Sequence, residues 1–167
     1  WDPEQLLTRC QPIIEVPLRD RLVRVQAWKH IEVGANGQVV PIIFLDTDVV
    51  ENDPNDRRIT DSLYGGDQHT RILQELVLGI GGVRMLQALG YPETMIYHMN
   101  EGHAAFLLLE LIPQGWAFNM ESEVEQVRQR SVFTTHTPVE AGHDVFAADL
   151  LEQYLSKEHL QKALPIF

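Results

Sequence analysis

Two short apolar runs, each followed at once by a dense group of polar side chains, constrain the fold of this sequence more than any other feature. The first lies within residues 95–106 and the second within residues 132–146. Each pattern predicts a buried strand that ends in a polar loop. In an open α/β sheet, ligands bind where strands end and helices begin. We therefore predict that the two loops form two walls of one site.

The first third of the chain predicts a β-hairpin. Residues 21–33 and 39–45 both have strand character, and the Asn-Gly pair at positions 36 and 37 lies between them. Asn-Gly is the dipeptide most typical of a tight hairpin turn. Pro41 falls inside the second strand, which indicates an edge position or a bulge because proline cannot donate a ladder hydrogen bond.

Beyond the hairpin, helical and strand patterns alternate. Apolar residues recur at helical spacing through residues 68–89, where we expect the internal glycines to admit a second backbone and Gly90 to end the helix. The further predicted elements are strands at 95–98 and 132–135 and helices at 102–112, 121–130, 149–154 and 158–163. The two strands, with helices between them, suit a right-handed parallel crossover. The fold class is therefore α/β, with parallel strands and an N-terminal β-hairpin.

Composition narrows the classes of partner. The net charge is −11, which argues against nucleic acid and is compatible with a neutral substrate. No apolar run approaches the roughly 20 residues that span a bilayer, so we expect no membrane partner. Cys10 is the only cysteine, which is consistent with a reducing, cytoplasmic location.

Four sequence blocks together resemble the alpha-glucan phosphorylases, the family of glycogen and maltodextrin phosphorylases. The blocks are LDTDVVENDPNDRRITDSLYGGD, RILQELVLGIGGVRML, HMNEGHAAF and FTTHTPVEAGHDVF, in that order, and the resemblance covers roughly residues 20–155. It implies a partial Rossmann-like domain of the glycosyltransferase-B type. It also implies phosphorolysis of α-1,4-glucan to glucose 1-phosphate as the activity of the parent enzyme.

The resemblance also implies where the cofactor lies. Family members are several times longer and build two Rossmann-like domains around pyridoxal phosphate, whose lysine is in the C-terminal domain. The lysines of this chain, Lys29, Lys157 and Lys162, stand in no matching motif. We therefore expect no cofactor in this chain, and pyridoxal phosphate only in the full-length parent.

The chain is accordingly interpreted as one α/β piece, residues 1–167, of an N-terminal catalytic domain. Residues 20–50 would form the hairpin and residues 60–167 the Rossmann-like part. The expected partners are an alpha-glucan or maltodextrin, phosphate and the missing C-terminal domain of the parent. Exposed sheet edges would also permit a homodimer. Alone, the chain is expected to be inactive.

Residue by residue, the resemblance places His136 at the sugar of the cleavage subsite, as the catalytic contact, with Thr137 beside it. Asn100, Glu101 and His103 match the polar loop that lines the same pocket. Two alternatives remain open. His136 could only satisfy buried backbone groups, and Asn100 or Glu101 could be the N-cap of the following helix.

Three further residues complete the predicted substrate-binding set. Gly66 and Asp67 match the gate loop that borders the active site, although mammalian-type relatives carry Pro-Asn where this chain has Gly-Gly. Gly142 belongs to the same motif as His136. Arg71 lies four residues after Asp67 and could pair with it along the helix.

Two other function classes stay open from the residues alone. One is a non-catalytic carbohydrate-binding module. The other is a metal-dependent hydrolase, although the spacing H-x-x-E-x-H does not put two histidines on one helix face. The metal-ligand types would be His98, Glu101, His103, His136, His143 and Asp144.

Overall fold

The structure is a computed structural model that describes residues 3–63, 66–91, 95–113, 120–139 and 144–163. It contains both helices and strands, with one antiparallel and one parallel sheet. None of the described helices has the length and apolar content needed to cross a membrane. The division into residues 20–50 and 60–167 stays a prediction.

The N-terminal sheet is antiparallel and is organised around one long strand. Its strands are β1 (Thr8–Arg9), β2 (Ile14–Pro17), β3 (Leu22–Val33) and β4 (Val39–Asp46). Strand β3 pairs with each of the other three. The predicted hairpin is confirmed, and Gly37 in its turn has a φ of 81°. Among the described residues β4 pairs only with β3, so the edge position predicted from Pro41 is also confirmed.

The predicted helix over residues 68–89 is present but changes its winding. Helix α1 (Gln68–Leu76) passes through a π-helical turn (Val77–Gly81) into α2 (Gly82–Ala88). A Cβ on Gly79 would lie 2.7 Å from the backbone nitrogen of Leu107. The prediction that a glycine admits a second backbone is therefore confirmed at this position. Gly90 ends the helix at a φ of 83°.

The second sheet is the parallel pair that the two apolar runs predict. Strand β5 (Tyr97–Asn100) pairs with β6 (Ser131–Thr134), and β5 begins two residues later than predicted. Short helices connect and follow these strands. They are the 3-10 turn Gly102–Ala104, α3 (Leu107–Leu111), α4 (Met120–Gln129), α5 (Ala148–Tyr154) and α6 (Lys157–Ala163). The single helix predicted at 102–112 is thus a turn followed by a shorter helix.

The helices pack on the sheets through apolar side chains and through one partly buried ionic network. Ile72, Leu76 and Ile80 are fully buried in the main core with the valines of β2 and β3. In the network, Glu110 of α3 accepts hydrogen bonds from Arg84 of α2 at 2.7 and 3.1 Å and lies 2.9 Å from His159 of α6. The network joins three helices at one point beside the core.

Candidate functional site

The loops that follow β5 and β6 meet through the side chain of Glu101. Its Oε1 accepts hydrogen bonds from the backbone N–H groups of His136 and Thr137, the latter at 2.9 Å. Its Oε2 accepts from the Thr135 hydroxyl at 3.0 Å. The Glu101 backbone N–H also donates to the Thr134 carbonyl at 2.8 Å. The prediction that the two loops open on one edge of a parallel sheet is therefore confirmed for Glu101 and His136.

The Glu101 carboxylate is held in its ionised form. Hydrogen bonds, first the one from the His136 N–H, lower the pKa of Glu101 to about 2. The Glu101 backbone has a φ of 59° and a ψ of −172°, a combination that residues other than glycine rarely adopt. Such a conformation persists only where the surrounding contacts determine it, and it is concentrated at functional sites.

This arrangement decides one of the alternatives read from the sequence. Glu101 occupies the N-cap position of the 102–104 turn, but its side chain makes no capping hydrogen bond, so the alternative of a side-chain cap from Glu101 is wrong. The physical reason is that three donors of the 135–137 segment already occupy the Glu101 carboxylate. His136 and Asn100 have exposed side chains at this edge. Their contact with a sugar stays a prediction.

His103 lies two residues beyond Glu101 but contacts a different set of side chains. Its Nδ1 is 3.5 Å from Glu75 Oε1 and 3.7 Å from Asp144 Oδ2. Arg71, one turn before Glu75 on α1, donates a hydrogen bond to the same Asp144 oxygen. We call these four residues, Arg71, Glu75, His103 and Asp144, the carboxyl cluster. It joins α1 to the segments that follow β5 and β6.

The expected pair between Arg71 and Asp67 is wrong. Asp67 is instead the N-cap of α1, where its carboxylate accepts from the Thr70 backbone N–H at 2.9 Å and from the Thr70 hydroxyl at 3.1 Å. These hydrogen bonds lower the pKa of Asp67. The guanidinium of Arg71 is therefore left to pair with Asp144, 73 residues away.

Glu75 is the member of the cluster that sequence reasoning missed. Its residue surface is only 7% exposed. Burial and the neighbouring Asp144 carboxylate raise the pKa of Glu75 to about 8. The helical spacing could have indicated that Glu75 is buried, because it lies three residues after Ile72 and four before Gly79, on the buried face of the helix.

The six residues proposed as metal-ligand types do not converge in the described part of the chain. Only His103 and Asp144 come together, with Glu75, so that their ligand-type atoms lie within 4.8 Å of one another. His98 is hydrogen-bonded to the Thr134 hydroxyl at 2.7 Å. His143 lies outside the described residues. Because Arg71 already contacts Asp144, the cluster contains its own positive charge.

The predicted gate residues lie at the start of α1. Gly66 has a φ of 87°, and a Cβ added there would lie 2.6 Å from the Thr70 side chain. Gly66 and Asp67 help to line a cavity of about 480 Å³ with residues of the 55–62 segment. Gly142 lies outside the described residues, so its assignment stays a prediction, as does the gating role.

An apolar cavity of about 300 Å³ lies elsewhere, between β4, the α1–α2 helices and the first half of β5. Its lining includes Leu45, Leu78, Leu86 and Ile96. Such a lining suits packing rather than a sugar, whose hydroxyl groups need hydrogen-bond partners. The polar edge at Glu101 and His136 is therefore the better candidate for a substrate site.

Comparison with known proteins identifies the relationship. The chain is 41% identical over 93% of its length to the glycogen phosphorylase of Mycobacterium tuberculosis, and 44% identical over 87% of its length to the maltodextrin phosphorylase of Thermococcus litoralis. It spans about a fifth of the length of these relatives, 19% and 17%. No protein-family model matches the chain. The resemblance carried by the four sequence blocks is confirmed, and the chain is homologous over most of its length to one segment of the glycogen and maltodextrin phosphorylases.

Proposed function

We propose that this chain is part of an alpha-glucan phosphorylase and supplies one sugar-binding wall of its active site. The parent would catalyse phosphorolysis of α-1,4-glucan to glucose 1-phosphate. The proposal rests on one observation: at the ends of two parallel strands, the Glu101 carboxylate accepts hydrogen bonds from the backbone N–H groups of His136 and Thr137. The names of the relatives supply the reaction class.

The geometry suits a neutral, hydroxyl-rich ligand. A sugar needs fixed donors and acceptors, and catalysis needs them held in register. The backbone N–H groups of His136 and Thr137 and the Thr135 hydroxyl all donate to Glu101 and hold the 135–137 segment in place, while the His136 side chain stays exposed and could face a ligand. The net charge of −11 also suits a neutral glucan better than a polyanion. We infer that the parent supplies the basic groups for phosphate from another part.

Pyridoxal phosphate is the cofactor that the family implies, and the described residues of this chain do not fit it. Lys162 is buried and pairs with Glu158 at 3.0 Å. Lys29 lies in β3 and Lys157 begins α6, so neither belongs to the polar edge at Glu101. The cofactor would therefore be held by another part of the parent.

The proposal includes the finer fold assignment and the setting of the parent. A parallel pair of strands with helices between them is compatible with part of a Rossmann-like domain of the glycosyltransferase-B type. Ile96, Val132 and Phe133 are exposed on or beside this pair, and parallel sheets are usually covered on both faces. Further elements of the parent would cover them, or a second copy in a homodimer. We place the parent in the cytoplasm.

The wall assignment is tested by His136→Ala in the full-length parent. We expect turnover on maltodextrin and phosphate to fall at least tenfold, about 1.4 kcal/mol in the barrier. His30→Ala is the matched control, because His30 is a half-exposed histidine on the hairpin, far along the chain from the motif. Unchanged kinetics in a folded His136→Ala enzyme would contradict the assignment.

A second experiment concerns the chain by itself. We expect the purified 167-residue chain to release no glucose 1-phosphate from maltodextrin and phosphate, and to show no pyridoxal absorbance after incubation with pyridoxal phosphate. The reason is that none of its three lysines belongs to the 100–103 or 134–137 segments that form the proposed wall. Activity, or a stoichiometric pyridoxal absorbance, would show that the chain contains more of the active site than we propose.

A further inference from the structure

The carboxyl cluster includes one residue from each of the segments that follow β5 and β6 and joins both residues to α1. His103 follows Glu101 by two residues, and Asp144 follows His136 by eight. Both side chains contact Glu75 or Arg71 of α1. Glu101 thus ties the loops to each other, whereas the cluster ties them to a helix of the core.

With a neutral His103 ring, the charges of the cluster balance when one of its two carboxyl groups is also neutral. Two carboxyl groups, Glu75 and Asp144, have ligand-type atoms within 4.8 Å of each other, and Arg71 supplies one positive charge. Asp144 is the carboxylate in contact with the guanidinium. Glu75 is the more buried of the two, and its Oε1 has no hydrogen-bond partner. A neutral carboxyl group tolerates such a position far better than an ionised one.

We propose that Glu75 is a positioning residue of the sugar wall, whose neutral carboxyl group donates a hydrogen bond to Asp144 and so anchors both loops to α1. The kinetic part of this inference rests on the proposed function. The charged and titratable groups that face Glu75 in the described residues are Arg71 on its own helix, His103 on the 102–104 turn and Asp144 before α5. The raised pKa of Glu75 is consistent with a neutral group at pH 7.

Two variants test whether Glu75 acts as a hydrogen-bond donor or only fills space. Glu75→Gln keeps an N–H donor in place of the protonated carboxyl and cannot ionise. Glu75→Met has a similar volume but no donor. We expect the Gln variant of the full-length parent to keep kcat and KM within twofold at pH 7, and the Met variant to raise KM for maltodextrin at least fivefold. Equal behaviour of the two variants would overturn the proposal.

The pH profile is a readout that a merely structural role would not change. As pH rises through about 8, Glu75 ionises beside Asp144, so the hydrogen bond is lost and the two carboxylates repel. Wild-type KM should therefore rise above pH 8 relative to the Glu75→Gln variant, whose profile should lack this limb. Parallel profiles of wild type and Glu75→Gln would contradict a neutral Glu75.

Infrared spectroscopy of the purified 167-residue chain tests the protonation state without using any activity. Of its 24 acidic residues, those with ordinary pKa values are ionised at pH 7. We expect one carboxylic acid band at pH 7 that titrates near pH 8 and is absent from Glu75→Gln. Absence of the band from the folded wild type would overturn the proposal. So would a stoichiometric Zn²⁺ or Mn²⁺ ion that Glu75→Gln loses, because Glu75 would then be an ionised ligand.

These arms distinguish the two proposals from each other. A full-length parent that does not catalyse phosphorolysis would contradict the proposed function, but the infrared band would still decide whether Glu75 is neutral. A parent that phosphorolyses maltodextrin, with a Glu75 that is ionised at pH 7, would sink only the inference about Glu75.

Discussion

The substitution Glu110→Gln tests the partly buried network that joins three helices next to the core. Glu110 receives two hydrogen bonds from Arg84 and lies 2.9 Å from His159, whose side chain is fully buried. An amide has nearly the same shape, but it removes the negative charge and puts N–H donors where one carboxylate oxygen stood. Arg84 or His159 must then face a donor rather than an acceptor.

The magnitude follows from the partial burial of Glu110 and from its lowered pKa. Breaking a buried ion pair costs about 3–5 kcal/mol, because a charge is left without its partner. Arg84 is 27% exposed and can recover water, which reduces the cost. Desolvation raises the pKa of Glu110, but hydrogen bonds and charge interactions with His159 and Arg84 together outweigh it and lower the pKa from 4.5 to about 2. This shift corresponds to at most about 3 kcal/mol before solvent screening. We expect a loss of about 2 kcal/mol at pH 7, or a melting temperature lower by about 4–8 °C.

The lowered pKa also predicts the direction in which the stabilisation by Glu110 changes with pH. Because the pKa of Glu110 is depressed in the folded state, its stabilisation is present above about pH 4.5 and is lost as pH falls towards 2. Urea unfolding should show wild type and Glu110→Gln converging over that window. Glu125→Gln, at a half-exposed residue of α4, is the control and should change the free energy of unfolding by less than about 0.5 kcal/mol. A Glu110→Gln variant as stable as wild type at pH 7 would refute the reasoning.

Two further pairs of substitutions test the site and the packing. Glu101→Ala should melt at a lower temperature than Glu101→Gly, since both lose the carboxylate but only glycine relaxes the backbone at a φ of 59°; the reverse order in thermal unfolding would contradict strain at Glu101. Gly79→Ala should lower the free energy of unfolding by about 1–3 kcal/mol, because its Cβ would lie 2.7 Å from the Leu107 nitrogen. Gly82→Ala has open space and should raise it by about 0.5–1 kcal/mol through helix propensity, so similar effects of the two alanines would show that the close approach is unimportant.

Features that depend on local chemistry could be predicted from the sequence. The hairpin follows from Asn-Gly at positions 36 and 37, and the strands end within one residue of prediction. The parallel pair follows from two apolar runs separated by helical segments. Strands β1 and β2 were not predicted, because β1 has two residues and β2 has four, too few for a periodic pattern.

Features that depend on contacts distant in sequence could not be predicted in the same way. Arg71 was expected to pair along its helix, but the N-cap role of Asp67 removes that partner and the tertiary fold brings Asp144 instead. The helix predicted at 102–112 is a 3-10 turn and a shorter helix, and Glu101 before it has a positive φ while its carboxylate binds the 135–137 segment. Local propensity contains no information about either competition.

The candidate site shows the same division between local and distant information. The motifs identified the residues at the ends of the two strands, but not what each side chain does there. Glu101 was read as a lining residue or an N-cap, and the structure gives its carboxylate to the backbone of the neighbouring loop. Under the proposed function, exposed side chains such as His136 and Asn100 would form the surface that faces a ligand. A polar sequence motif therefore indicates where a site lies, but not which of its residues would contact a substrate.

The wall and the sheet that carries it differ in how far this chain stabilises them. The wall is held from inside the chain, by Glu101 between the loops and by the carboxyl cluster between the loops and α1. The parallel sheet has two strands in the described residues and exposes Val132 and Phe133. Since parallel sheets are normally covered, the sheet needs neighbours that the wall does not. We therefore expect other parts of the parent to add cofactor, phosphate contacts and burial, and not to determine the shape of the wall.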